Sequence, residues 1–455
     1  ALLTVAAACS KDPPPKEPRL FTDAEVAAYE TQLMARVAQT ANQACLRSPA
    51  VADLIALAEP TGPLGTCLAG ARKLEDATGH TLAELVEDSN PQIVEVDGQC
   101  GAALEQTVRT AAAHRDACSP YQTGVRKEPD SWTPVMVGAH LLALRAGLSA
   151  ERGTPVAALA MLLDGASAYR DLARGHVGLL PTMISFATTD IVVEQARSVV
   201  TTAKLTPAEV EPLVARLDAL LASEPPFADA LHGERHHFEL FYGLVHLKGN
   251  EWVPPGGWPE GSRPKPGEGP FETKPMTKSP RDEAAIIFAA AERMHVDREQ
   301  KCPRTSTLKV CHDGLVALGG TPKTATAGEI SEDLWNDLAK ATSSGDTIAT
   351  AHIIRAKIVD ILVGVAHPAF SNYVGKRAGG YARLAALRIH LEIARAGRCP
   401  TEAELAAAPY PALVAPAPLG DLLTIKRTDD GDLEIGAPAW TQSSKPAWRI
   451  SCKPR

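Results

Sequence analysis

A helix-start signal that recurs along this sequence most constrains its fold. Thr206-Pro-Ala-Glu209 precedes apolar side chains that return every three or four positions up to Leu221. In such a capping box, the threonine oxygen and the glutamate carboxylate accept hydrogen bonds from backbone amides that the helix leaves unpaired. Proline suits the first helical position, because its missing N–H would have no partner there. The same signal begins at Thr22, Thr81 and Thr401. The chain is therefore predicted to be mainly α-helical.

Apolar periodicity extends this prediction over most of the chain. We expect helices near 22–45, 102–117, 134–150, 154–174, 177–203, 206–223, 226–248, 280–297, 330–342, 346–365 and 368–396. No repeat of fixed length recurs, so the order favours irregular helical hairpins or an irregular helical array. A hydrophobic content of 45% excludes a disordered chain. The net charge of −8 argues against nucleic-acid binding, which needs a basic face.

Residues 251–281 interrupt the helical pattern. They contain eight prolines and five glycines in 31 positions, a density that no helix tolerates. The segment is either a linker or a loop on the surface, and its tryptophans Trp252 and Trp258 favour a packed loop. It divides the predicted helices into a lobe at 22–250 and a second lobe at 282–398.

The last segment, 399–455, changes character. Leu422–Arg427 and Leu433–Ile435 have the composition of strands, and the intervening turn contains Gly431, which can adopt a positive φ. A further strand is predicted near Trp448. We expect a small C-terminal α/β module that contains a β-hairpin.

The N-terminus predicts export. Residues 1–8 are an apolar and small-residue run typical of the end of a signal peptide. Ala6-Ala7-Ala8-Cys9 resembles the lipobox of bacterial lipoproteins, in which the cysteine carries the lipid. The resemblance implies a lipid anchor at Cys9 and a proline-rich tether over 9–21, in a protein of the outer membrane that faces the periplasm or the cell surface. The alternative is an ordinary signal peptide with an unrelated cysteine.

Eight further cysteines agree with export, since even numbers of cysteines in exported proteins favour disulfides. Pairing of neighbours along the chain is the simplest of many connectivities. It predicts bonds 45–67, 100–118, 302–311 and 399–452 among the candidates Cys45, Cys67, Cys100, Cys118, Cys302, Cys311, Cys399 and Cys452.

Two stretches resemble uncharacterised helical proteins of bacterial envelopes. The first runs from Arg383 through Arg398-Cys-Pro400 to the hairpin, and it is also similar to the C-terminal part of the major pseudopilin of type II secretion. The second covers Leu141–Phe238. The calcium-binding loop of the pseudopilins is not recognisable in this chain. The resemblance therefore implies a fold, and neither a pilus function nor calcium ligands.

Two motifs could carry chemistry. His232 and His236 lie four residues apart, a spacing at which two imidazoles on one helix face can share a metal. The glutamate between them is out of register for a zinc hydrolase, and solvated surface histidines are the commoner outcome. Ser306-Thr-Leu-Lys309 matches the S-x-x-K spacing of penicillin-interacting enzymes. A small disulfide loop between Cys302 and Cys311 explains that segment better.

These observations favour a non-enzymatic envelope lipoprotein that acts as a helical scaffold or binding protein, with no cofactor. Its expected partners are the membrane, through the lipid, and a protein or envelope component, with no nucleic acid. One alternative is a metal-dependent hydrolase that uses His232 and His236. Another is a structural subunit of a cell-surface assembly.

Overall fold

A computed structural model describes a series of helices and the C-terminal strands of this chain. The described residues are 63–82, 91–114, 132–175, 178–235, 296–319, 347–441 and 448–452, with isolated positions between 24 and 35. For residues 347–369 the description covers the backbone. The predicted tether, the segment 251–281 and residues Cys9, Cys45, Cys118 and His236 lie outside the described part.

The described chain is mainly helical with a small C-terminal sheet, as predicted. The helices are α1 Pro63–Thr78, α2 Pro91–Val96, α3 Ala102–Ala113, α4 Thr133–Glu151, α5 Pro155–Asp171, α6 Leu179–Thr202, α7 Pro207–Ala222, α8 Leu308–Gly319, α9 Thr347–Ala396, α10 Glu402–Leu405 and α11 Tyr410–Val414. A π-helical turn, Asp97–Gly101, joins α2 to α3, and a further helical segment covers 227–235.

Helix α4 lies at the centre of the packing. It buries the consecutive residues Leu141 to Leu144, so it is covered on all sides, as expected for a helix with apolar residues around its whole circumference. Helices α5 and α6 pack against α4 and each other, and α9 packs against α6, α7 and α8. Helices from both sides of 251–281 thus share one hydrophobic cluster. None of the helices in the described part is long and apolar enough to cross a membrane.

Two of the predicted capping boxes are confirmed. The Thr206 hydroxyl accepts a hydrogen bond from the Glu209 amide, and the Glu209 carboxylate accepts one from the Thr206 amide at 2.8 Å. The bond from the Thr206 amide, together with a second that the Thr206 hydroxyl donates to the same carboxylate, lowers the pKa of Glu209. Thr401 and Glu404 form the same reciprocal pair. The predicted pair of helices at 134–150 and 154–174 is also present, and Gly153 makes the tight turn between α4 and α5 with φ +83°.

Helix α9 corrects the prediction of two helices. The sequence predicted a break before Pro368, but the helix runs without interruption from Thr347 to Ala396. Proline inside a helix costs about 3 kcal/mol, because it removes one hydrogen bond and crowds the preceding turn. The second half of α9, which buries Tyr381, Leu384 and Leu391 among other residues, offsets that cost through tertiary packing.

A seam of ion pairs joins the second half of α9 to α6 and α7. Arg377 contacts Glu224 at 2.7 Å, directly after α7. Farther along α9, arginines meet carboxylates of α6 and α7 in the pairs Arg383–Asp190, Arg383–Glu194, Arg388–Asp218 and Arg395–Glu211. On α9 the residue number rises as the partner's number on α7 falls, so these two helices are antiparallel.

The C-terminal strands form the predicted hairpin with a third strand. Strands β1 Thr424–Arg427, β2 Leu433–Gly436 and β3 Trp448–Ile450 pair antiparallel in the order β1-β2-β3. Gly431 has φ +83° in the turn. Trp448 is buried where the sheet meets α9, with the guanidinium groups of Arg197 and Arg383 5.3 and 5.7 Å from its ring. Cation–π contacts of this kind attach the sheet to the helices.

Candidate functional site

The histidine pair predicted for metal binding is placed only in part. The His232 Nε2 atom lies 2.5 Å from Glu299 Oε1, and 13% of the His232 side chain is exposed. Its partner in the motif, His236, is outside the described residues. No group of three histidine, cysteine, aspartate or glutamate side chains that could hold a metal occurs in the described part of the chain. The hydrolase hypothesis stays a prediction that this geometry does not advance.

Three disulfides are present among the described cysteines. Cys302–Cys311 and Cys399–Cys452 confirm two of the predicted bonds. Pairing of sequence neighbours is wrong for Cys67 and Cys100, which bond to each other across 33 residues. The physical reason is that the π-helical turn carrying Cys100 packs beside α1, which carries Cys67. Cys45 and Cys118 lie outside the described residues.

Ser306 and Lys309 of the S-x-x-K motif each contact another residue of the same segment, and they do not contact each other as a nucleophile and its base would. The Ser306 hydroxyl donates to the Pro303 carbonyl at 2.7 Å, and Lys309 Nζ forms an ion pair with Asp313. The hydroxyl and the ammonium therefore each have a partner within the disulfide loop and the first turns of α8. The expectation of a small disulfide loop at this place is confirmed.

A charged cleft is the best candidate for a functional site. It has a volume of about 680 Å³ and lies between the π-helical turn, α3, the C-terminal end of α4, the N-terminal half of α5, and α7. Its walls carry the charged residues Asp97, Glu105, Arg109, Arg145, Arg152, Asp164 and Arg216. Four guanidinium groups thus face three carboxylates, which leaves the cleft with one surplus positive charge.

Most of these charges form a ladder across the cleft wall. Arg145 donates from Nη1 to Asp97 Oδ1 at 3.0 Å and from Nε to Glu105 Oε2 at 2.8 Å. Burial lowers the pKa of Arg145, but its bonds to Glu105 and Asp97 outweigh that effect, so the pKa is raised. Glu105 also pairs with Arg109. Because both partners are charged, these hydrogen bonds are stronger than neutral ones.

Asp164 occupies the far side of the cleft. It pairs with Arg216 of α7, and the charge of Arg109 also acts on it. Burial nevertheless raises the pKa of Asp164 above its usual value, since desolvation exceeds the attraction of the two guanidinium groups. A perturbed carboxyl group within a cleft is a common mark of a functional site.

Arg152 supplies the surplus charge. It is exposed at the end of α4, immediately before the turn at Gly153. No carboxylate in the described part of the chain forms an ion pair with it. Ala157, Ala160 and Met161 of α5 line the same cleft, so an apolar surface lies beside the guanidinium group. The arrangement can receive an anionic group and an apolar group of one ligand together.

Comparison with known proteins identified no relative of this chain. No protein-family model, curated protein sequence or solved structure matches the chain. The function has to be argued from the geometry of the cleft and the chemistry of the chain.

The cleft was missed at the level of sequence. Its charged residues come from five elements and are separated by up to 119 positions, from Asp97 to Arg216, so no local motif marks them. The one local signal is Glu105 and Arg109, four residues apart on α3, a spacing that places opposite charges on one helix face. That signal is typical of many solvated helices and identifies no site.

Proposed function

We propose that the protein is a non-enzymatic, exported lipoprotein that acts as a helical scaffold. In this proposal the charged cleft binds an anionic envelope component that has an apolar part. Binding of an anion in the cleft is supported by one observation. The guanidinium group of Arg152 lies beside the apolar surface of α5 and has no ion-pair partner among the described residues. The other charged side chains of the cleft form pairs of opposite sign. Because these pairs are neutral, they leave Arg152 as the group that attracts an anion.

The disulfides support export. Three bonds of this kind in one chain are typical of oxidising compartments and rare in the cytosol of most organisms. The lipobox-like residues before Cys9 support an anchor, because lipid chains contribute about 0.8 kcal/mol for each buried methylene group. We therefore expect the natural protein to reach an envelope membrane.

Replacement of Arg152 tests the cleft. We expect Arg152→Gln to weaken binding of 8-anilinonaphthalene-1-sulfonate, which joins a sulfonate to aromatic rings, by about tenfold. The reason is loss of the surplus positive charge. Titration calorimetry on the full chain measures the dissociation constant, and raised salt should weaken binding to the wild-type protein, since salt screens exposed charges.

Two further variants sharpen this test. Ala157→Asp adds a negative charge to the cleft at an exposed position in the first turn of α5, where an acidic residue suits the helix, and it should weaken binding at least as much. Arg72→Gln removes an exposed arginine of α1 that does not line the cleft, and it should leave binding unchanged. Equal dissociation constants for all four proteins would contradict the proposed site.

The anchor has a separate test. Intact-mass spectrometry of the natural protein extracted from membranes should show an N-terminal cysteine, Cys9, that carries acyl chains. The Cys9→Ser variant, expressed with the same leader, should lack that mass and appear in the soluble fraction. An unmodified wild-type protein with the same mass and distribution as the variant would refute the lipoprotein proposal and leave the cleft proposal standing.

A further inference from the structure

Buried arginines surround a second, much smaller cavity. Its volume is about 30 Å³, and it lies where α5, α6, the residues after α7, and α9 meet. Arg170, Thr189 and Arg377 are among its lining residues. Both guanidinium groups are almost fully buried, with 6% and 2% of the respective residue exposed. Polar groups at such depth need partners, because desolvation without compensation is costly.

Each arginine satisfies part of its donor set with protein atoms. Arg170 donates from Nη2 to Ser223 Oγ at 2.9 Å, and from Nη1 to the Leu220 carbonyl. Arg377 donates from Nε to Glu224 Oε1 at 2.7 Å, and from Nη2 to the Pro225 carbonyl. These bonds fix the two planar groups and determine which of their N–H groups remain.

Three buried donors at the cavity remain without a hydrogen-bond partner in the described part of the chain. They are Arg170 Nε, Arg377 Nη1 and the Thr189 hydroxyl. The cavity admits one water molecule or one monatomic ion, because a water needs roughly 10–15 Å³ of such volume. Three donors around a space of this size suit a species that accepts hydrogen bonds.

The local charge favours an anion over water. The charges that act on Arg170 are those of Asp171 and Glu224, which are negative, and of Arg174 and Arg377, which are positive. With Arg170 itself, three positive groups face two negative ones. Burial lowers the pKa of Arg170, as expected where a cation lacks full compensation. One monovalent anion would bring the cluster to neutrality.

We propose that this cavity binds a single halide ion, chloride under natural conditions, between Arg170, Thr189 and Arg377. The ion accepts hydrogen bonds from the three donors and links α5, α6 and α9. This site is separate from the charged cleft and does not depend on the function proposed for it.

Thermal unfolding in different salts tests the proposal. At matched ionic strength, the melting temperature of the full chain should be higher in sodium chloride or bromide than in sodium gluconate, by roughly 3 °C at saturation. Gluconate is too large for the cavity. Equal melting temperatures in all three salts would show that the cavity holds water, and they would overturn the proposal.

Adjacent threonines provide a matched pair of variants. Thr189→Val removes a donor at the cavity, and we expect the halide concentration that gives half of the stabilisation to rise about tenfold. Thr188→Val is the control. The Thr188 hydroxyl donates to the Ile184 carbonyl at 2.7 Å and does not line the cavity, so the halide response should persist. An equal response in both variants would contradict the assigned ligands.

A crystallographic experiment is independent of variant stability. Crystals of the wild-type protein soaked in sodium bromide should give an anomalous peak within hydrogen-bonding distance of Arg170 Nε and Arg377 Nη1. The peak should weaken in Thr189→Val crystals treated alike. Density for a light atom without anomalous signal at this place would identify water and refute the halide.

Discussion

Replacing Arg383 with methionine is expected to lower the free energy of unfolding by about 2–3 kcal/mol. Arg383 is buried in α9 and forms ion pairs with Asp190, at 2.6 Å, and with Glu194. Methionine keeps most of the apolar stem but removes the ion pair with the partly buried Asp190, whereas Glu194 keeps its ion pair with Arg197 at 3.0 Å. The contact with the Trp448 ring is lost too. Denaturant unfolding followed by circular dichroism measures the change.

A second variant separates the contribution of charge to that loss from the contribution of packing. The double variant Arg383→Met, Asp190→Asn removes the Asp190 charge together with the arginine and leaves the Glu194–Arg197 pair intact. We expect it to recover more than half of the stability lost in the single variant, because the main cost is the loss of this cation beside the partly buried Asp190 carboxylate. Arg398→Met, which breaks an exposed pair with Glu404, serves as the control and should change stability little. No recovery in the double variant would show that packing at Arg383, and not charge, dominates.

The second large effect concerns the disulfide that holds the C-terminal sheet. Cys399 ends the turn after α9, and Cys452 follows β3, 53 residues later. Replacing both with alanine should lower the free energy of unfolding by about 4 kcal/mol, from the loop entropy that the bond removes from the unfolded chain. We expect the double alanine variant to keep its helices, since the helical core does not depend on this bond.

A shorter disulfide loop gives the comparison. Cys302 and Cys311 are nine residues apart, so the same entropy argument predicts a loss of about 2.6 kcal/mol for their double alanine variant. Guanidinium unfolding of the two variants under identical conditions measures the difference. A larger loss for the nine-residue loop would contradict the loop-entropy account.

Local signals predicted much of the fold. The capping boxes at Thr206 and Thr401 marked two helix starts, and the glycine turn before Leu433 marked the hairpin, because each of these devices is complete within a few residues. Helix α1 was missed: it carries Pro63, Gly65 and Gly70 in its sequence, which lower helix propensity. Packing against α4 stabilises it instead.

Contacts between residues far apart in the chain could not be predicted from the sequence. The bond between Cys67 and Cys100 depends on how the π-helical turn lies against α1, which no spacing rule specifies. The cleft depends on Arg145 of α4 meeting Glu105 of α3, and on Arg216 of α7 meeting Asp164 of α5. One signal was overlooked. Arg377, Arg388 and Arg395 are separated by 11 and 7 residues, close to whole numbers of helical turns, so they share a face of α9.

The ion-pair seam also sets an order of events during synthesis. Its carboxylates belong to α6, α7 and the residues just beyond, up to Glu224, whereas the arginines that meet them begin only at Arg377. Because a chain emerges from its N-terminus, the earlier helices present an acidic face before the basic helix exists. Until α9 has been synthesised, these carboxylates lack their α9 arginine partners, and the docking of α9 then neutralises them.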